Sequence, residues 1–427
     1  MKLLLKNGYI KKQKQHLLIT DDKIAYIGKN IPDCDREIDV EGLDVIPGMI
    51  DPHVHVRDLK QSEKEDWTSA SQAALRGGIC TIFDMPNTNP PTLDLPSLLL
   101  KREKAKKASV NYKFNVAATS CNLPQLTELL NNKPEDVAAL KLFMAGSNSN
   151  EFVEDPETLD RIFTLSRNYN LPLIVHSESQ KCVNEYAQKI KTPEIKDHNY
   201  IRNRKCAEKS TGVLIDLANR HGNKLYIAHT STAEEIDLLQ EAKKKNPNIY
   251  CETSPHHLLL NEEILTTAGN FGKVNPPLRT SRDNQRILQG ILDYTVDTIG
   301  TDHAPHLKTQ KERPYAEAPS GFPSLELAMP LLLNQVNEKK ITLERLIELT
   351  SLRTSEIFNL PQRGKLEEGF FADIAVIDRH KKWTIHAKNF RTKAKYSPYE
   401  NFTGIGDVVM TFVNGKLLYS RKADEKE

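Results

Sequence analysis

The sequence predicts an α/β protein: a (β/α)8 TIM-type barrel carrying a small β-sandwich domain built from both chain ends. Three observations predict it. Eight short apolar runs alternate with amphipathic stretches through the middle of the chain, as in a parallel sheet wound with helices. Both ends read instead as short strands joined by turns. Side chains of the types that ligate metals stand at the ends of several apolar runs, where such a barrel collects its chemistry.

At the N-terminus, "LLLKNGYI" holds the hairpin signal Asn7-Gly8, and "LLITDDKIAYIG" turns at Asp21-Asp22. The same style returns in "FADIAVID" and in "DVVMTFVNGKLLYS", with a turn at Asn414-Gly415. Residues 1–48 and 365–427 are therefore expected to form one composite β-rich domain, with the barrel spanning 49–364. Barrel strands are expected in "DVIPGMID", "GICTIFDMP", "KFNVAAT", "VAALKLFM", "LPLIVHSE", "KLYIAHTS", "NIYCETSPH" and "TIGTDHA". Helices are expected over 66–77, 95–107, 156–169, 208–220 and 232–245. The loop 306–323 is long enough to be functional, and "MAGSNSNEF" at 144–152 is a candidate lid.

Composition excludes several classes. Lys+Arg number 59 against 57 Asp+Glu, which leaves no basic footprint for nucleic acid or an acidic membrane. No apolar run reaches the ~20 residues that span a bilayer. "MKLLLKNGYI" turns polar too soon for a secretory signal. Six scattered cysteines without a C-x-x-C pair are expected to be reduced thiols in a cytoplasm.

The chemistry starts at "IDPHVHVR". Alternate side chains on a strand share a face, so His53 and His55 project together and offer a two-imidazole metal grip. Later strands end in His176, His229 and Asp302, and "VAALKLFM" carries Lys141. A lone histidine after an apolar run is more often a hydrogen-bonded core residue than a ligand; the whole set reverses that balance. Imidazole and carboxylate donors favour Zn²⁺, with Mn²⁺, Co²⁺ and Fe²⁺ also accommodated. Lys141 has two readings. Buried, it loses proton affinity, and its neutral amine can add CO2 to become an anionic, two-oxygen ligand. Otherwise it snorkels to solvent.

The segments PGMIDPHVHVR, DMPNTNPPT, ALKLFMAGS, IVHSE, IAHTS, VNPPLR, TDHAPH and GFPSLE together resemble the dihydroorotases of the amidohydrolase superfamily, specifically their longer class. The resemblance runs from about residue 46 to residue 326, with "EEGFFADIAVID" matching a shared tail. It implies a binuclear zinc barrel interconverting N-carbamoyl-L-aspartate and L-dihydroorotate in pyrimidine synthesis. By motif, His53, His55 and Asp302 would hold one zinc, His176 and His229 the other, and carbamylated Lys141 would bridge them. A hydroxide shared by the two ions would attack the ring amide, with Asp302 as proton shuttle. Arg57 would clamp the substrate carboxylate, with Asn87, Asn275 and His306 beside it. Ser320 and Gly321 would offer backbone contacts to the ring. The resemblance leaves His256-His257 outside the site, and His303 is expected to orient Asp302 from behind. It further implies a cytoplasmic homodimer that takes a small-molecule substrate. One departure is "RDLK" at 57–60, where relatives often read R-E-P-G. Two other functions compete: a hydantoinase, dihydropyrimidinase or allantoinase, and a catalytically silent scaffold. The pairing of Arg57 with Asn87 favours dihydroorotase over the first, and a complete ligand set disfavours the second.

Overall fold

A computed structural model describes residues 1–146 and 152–421, so most of the expected lid at 144–152 lies outside the described residues. The N-terminal strands are β1 (Lys2–Ile10), β2 (Gln13–Thr20), β3 (Lys23–Gly28), β4 (Arg36–Asp39) and β5 (Asp44–Pro47). The middle supplies β6 (Met49–Val54), β7 (Ile79–Asp84), β8 (Asn111–Ala117), β9 (Val137–Phe143), β10 (Leu173–His176), β11 (Leu225–Ile227), β12 (Ile249–Thr253) and β13 (Thr298–Ile299). The last three are β14 (Ile374–Thr384), β15 (Thr403–Val413) and β16 (Lys416–Ser420).

The eight middle strands run parallel in sequential order, β6 through β13. A bridge between Val54 and His303 brings the first strand beside the chain that follows the last, so the sheet curls into a nearly closed barrel. Most of these strands are buried along their whole length, which is why they read as unbroken apolar runs. The helices between them start on side-chain caps: Asp66 accepts from Ser69 N before Trp67–Arg76, and Thr232 accepts from Glu235 N before Ala233–Lys245.

The terminal strands make a separate, mostly antiparallel sheet in the order β16-β15-β14-β5-β1-β2-β3, with β4 on β1. Leu5, Leu17, Ile19, Val376 and Phe412 share its core. "DVIPGMID" proves to serve both sheets. Its first half, β5, pairs with β14, and its second half, β6, pairs with β7. Gly48 is the joint, and a Cβ there would lie 2.1 Å from Cys80 Sγ.

The expectation of six reduced thiols fails at one pair. Cys182 and Cys206 form a disulfide, with Cα atoms 5.3 Å apart, while Cys34, Cys80, Cys121 and Cys251 are free. The helices Gln180–Ala187 and Arg204–His221 bring the two together; a separation of 24 residues carries no motif that announces it. No helix among the described residues is long and apolar enough to cross a membrane.

Candidate active site

The strand ends converge at the mouth of the barrel. His53 closes β6 with Val54, and His55 follows one residue past it; their rings lie 5.6 Å apart. Asp302, three residues past β13, faces both: its Oδ1 is 3.5 Å from His53 Nε2 and 3.2 Å from His55 Nε2. One ligand atom from each of the three falls within 4.8 Å of the others, and all three residues are buried. Beside them, His176 Nδ1 is 3.1 Å from His229 Nε2, and the His229 ring lies 5.0 Å from that of His53.

Three of the four imidazoles have the outward nitrogen held. His53 Nδ1 donates to Glu252 Oε1 at 2.8 Å, His55 Nδ1 to Asn87 Oδ1 at 2.6 Å, and His176 Nε2 to Glu178 Oε2 at 2.9 Å. These bonds fix the tautomers, so that the other nitrogen of each ring turns inward as a lone-pair donor. The fourth, His229 Nδ1, has no hydrogen-bond partner among the described residues. Burial pushes the His55 imidazole down to about 3 and holds His176 and His229 below the ordinary value, so all three stay neutral and able to ligate. At Asp302 burial favours the neutral acid, but His53 and His55 outweigh it and keep the carboxyl below its usual range.

Lys141 points into the same enclosure from β9. It is fully buried, Nζ has no hydrogen-bond partner, and burial lowers its pKa to about 8. The snorkelling reading of this lysine is thereby excluded. Nitrogen and oxygen donors converging from four strand ends, with an orphaned amine from a fifth beside them, fit a divalent-cation centre.

Three of the site residues adopt left-handed backbone conformations: Arg57 at φ 67°, His229 at 37° and Asp302 at 45°. Non-glycine residues held there are strained, and such strain concentrates at functional sites. Leu59, inside the departing "RDLK" segment, also has a positive φ, at 65°.

Arg57 lies behind His55, fully buried. Its Nε reaches Pro305 O at 3.4 Å and its Nη2 lies 3.3 Å from His306 Nε2. Among the described residues it pairs with no carboxylate, and burial lowers its pKa to about 10. Asn87, Asn275, Ser320 and Gly321 line one small pocket together with His53, His55, His176, His229 and Asp302. Ser320 Oγ donates to Asn275 Oδ1 at 3.1 Å, and His306 Nε2 lies 3.1 Å from Ser320 O. Lys141, Arg57 and His306 stand just behind this lining.

Two histidines differ from expectation or clarify it. His303 does not orient Asp302: its Nδ1 accepts from Ser324 N at 3.0 Å and its Nε2 lies 3.3 Å from Glu65 Oε2. The turn that throws Asp302 inward sends its neighbour the other way. His257 is spent on Ser254 Oγ and Pro276 O, and sits with His256 in a short helix, Pro255–Leu259, past the end of β12. Sequence reasoning missed Glu252 and Glu178. Glu252 also accepts from His229 N at 2.9 Å and from Tyr226 Oη at 2.8 Å, which ties both histidine groups to one carboxylate. Glu178 is held by Arg202, whose Nη2 lies 2.6 Å away. An acid inside the apolar run of β12 was the available signal, since buried carboxylates are rare without a partner.

The model of the amidohydrolase family matches residues 45–418. The chain belongs to the amidohydrolase family. Among curated relatives, the amidohydrolase of Methanosphaera stadtmanae described as a dihydroorotase is 34% identical over 97% of this chain and 92% of its own length. A Lactobacillus acidophilus dihydroorotase is 32% identical over 99% of both chains. Among solved amidohydrolase structures, L-hydantoinase from Arthrobacter aurescens superposes with a TM-score of 0.93 at 26% identity, covering 98% of this chain and 96% of its own. Dihydropyrimidinase from Brevibacillus agri gives 0.91 at 27%, covering 99% and 96%.

Proposed function

We propose that this amidohydrolase is a zinc-dependent dihydroorotase, interconverting N-carbamoyl-L-aspartate and L-dihydroorotate in pyrimidine synthesis. The observation that carries the reading is Arg57: a buried guanidinium without a carboxylate partner among the described residues, one layer behind the His53–His55–Asp302 cluster. A charge placed so is costly unless something anionic meets it, and the carboxylate of dihydroorotate is such a partner. Identity of 32–34% to dihydroorotases along nearly the whole chain supports the same choice.

His53, His55 and Asp302 would hold one zinc, and His176 and His229 a second. Lys141 would serve both as a carbamate, its amine adding to CO2 with loss of a proton. The bound pair would supply an activated water and polarise the carbonyl under attack. In hydrolysis, Asp302 takes a proton from the attacking water and delivers it to the ring nitrogen as the C–N bond breaks and the new C–O bond forms. Ring closure is the reverse. Arg57, with Asn87, Asn275 and His306 near it, holds the substrate carboxylate, while the Ser320–Gly321 backbone meets the ring.

The test is a spectrophotometric assay of the metal-loaded chain with dihydroorotate and with carbamoyl aspartate, set against hydantoin and allantoin. Turnover of the first pair alone is expected. The hydantoinase folds superpose closely, so turnover of hydantoin in preference to dihydroorotate would replace this reading. A chain that binds no metal and turns over nothing would be the silent scaffold. The reading also carries a cytoplasmic homodimer, which sedimentation of the purified chain tests for its second half.

A further inference from the structure

The long loop 306–323 contains a feature that the reaction does not use. Lys311 ends a single helical turn, Lys308–Lys311, and is fully buried. Its ammonium donates to Pro319 O at 2.8 Å, to Gly321 O at 2.9 Å and to Lys273 O at 3.2 Å. Burial lowers the proton affinity of Lys311, but three backbone carbonyl acceptors match the three N–H groups of an ammonium and favour the charged form. No carboxylate lies within ion-pairing distance of it among the described residues. Burying a cation without a counter-ion is unfavourable, so a Leu or Met would fill this space with less penalty if packing were all that mattered.

The three carbonyls belong to two chain segments, and both face the pocket. Lys273 is two residues before Asn275, and Pro319 and Gly321 flank Ser320. The segments are also laced directly: Gly321 N donates to Lys273 O at 2.8 Å, and Ser320 Oγ to Asn275 Oδ1. Gly321 has φ 119°, and a Cβ there would lie 2.6 Å from both Cβ and O of Ala304, two residues from Asp302. The wall therefore has little freedom once Lys311 is in place. Lys273 Nζ extends the pattern, donating to Tyr315 O and Ala318 O at 2.7 Å each.

We propose that Lys311 is a positioning residue for substrate: its buried ammonium ties the Lys273–Asn275 segment to the Pro319–Gly321 segment and so sets the wall against which the substrate ring rests. The kinetic part of this inference rests on the dihydroorotase reading; the structural part does not.

The test uses the full-length, metal-loaded chain with Lys311→Met, which keeps the volume and removes the donors. Bound metal is expected to stay at the wild-type amount and kcat within about threefold, while KM for dihydroorotate rises about tenfold or more, the signature of lost ground-state binding. Lys311→Gln, which keeps two N–H donors, is expected to recover part of that loss, and it decides the matter if the Met variant does not fold. Hydrogen exchange without substrate is expected to quicken in peptides covering 273–276 and 319–323 and to stay unchanged in β6. An unchanged KM, a fall in kcat at constant KM, loss of metal, or unaltered exchange in those peptides would each overturn the proposal. If the wild-type chain turns over no dihydroorotate, the functional reading falls, and the exchange result alone decides whether Lys311 ties the wall.

Discussion

The two halves of the ligand cluster are built differently. The His53–His55–Asp302 half contains its own negative charge, and both imidazoles are braced, by Glu252 and Asn87. The His176–His229 half has two neutral rings, one of them unbraced, and beside it an orphaned amine in place of a carboxylate. The first half is complete from encoded side chains. The second lacks an anion of its own, which the proposed carbamate on Lys141 would supply. Cation affinity should accordingly be unequal, and the experiments below either remove that inequality or magnify it.

The largest effect is expected from Asp302→Asn. It removes the proposed proton carrier from the complete half, so kcat should fall by about a thousandfold while metal remains bound. Near-normal turnover would remove Asp302 from proton transfer. Next comes Lys141→Met, which should leave the complete half able to hold about one ion per chain where the parent chain is expected to hold about two. Elemental analysis after dialysis reads this directly; equal loss from both halves would mean that the lysine serves them alike. Arg57→Ala, outside both halves, should raise KM for dihydroorotate about a hundredfold by taking away a buried charged partner, with metal content unchanged. An unaltered KM would place the carboxylate elsewhere.

The braces sharpen the contrast at smaller scale. Glu178→Gln should weaken only the His176–His229 half, by about ten- to a hundredfold in metal affinity. Glu252→Gln should weaken both, because one of its oxygens serves His53 Nδ1 and His229 N together. Metal competition titrations that show the same pattern for the two variants would erase the distinction.

The smallest effect concerns pH. His198 is bonded to Val274 O and Tyr315 Oη, each at 2.9 Å, and burial lowers its pKa to about 3. The unfolded chain takes up that proton more readily, so the contribution to stability is complete above about pH 6.5 and is lost as pH falls from there toward 3. Denaturation midpoints measured at about pH 7.5 and about pH 5 should differ, and His198→Gln should narrow the gap.

The barrel was legible because a fully buried parallel strand must be an apolar run, and each of the eight expected runs overlaps one of the strands β6 to β13. The metal-type residues were legible because they interrupt those runs where the chain leaves the sheet. What stayed hidden depends on direction rather than residue type. Nothing in "TDHA" says that Asp302 turns inward and His303 outward, since the left-handed backbone of Asp302 itself decides it. Glu252 and Lys311 look like ordinary polar residues until their partners arrive from β6, β11 and the 273–276 segment. The Cys182–Cys206 link was illegible for the same reason: helix packing creates it, and sequence spacing does not encode it.

Gly48 has a practical consequence. It is the single unit of chain between a strand of the outer module and the strand that delivers the first ligands. Anyone transplanting this barrel beneath a different N-terminal cap inherits that seam. A replacement linker bearing any side chain would push against Cys80, and the error would be carried five residues on to the imidazole that opens the metal grip.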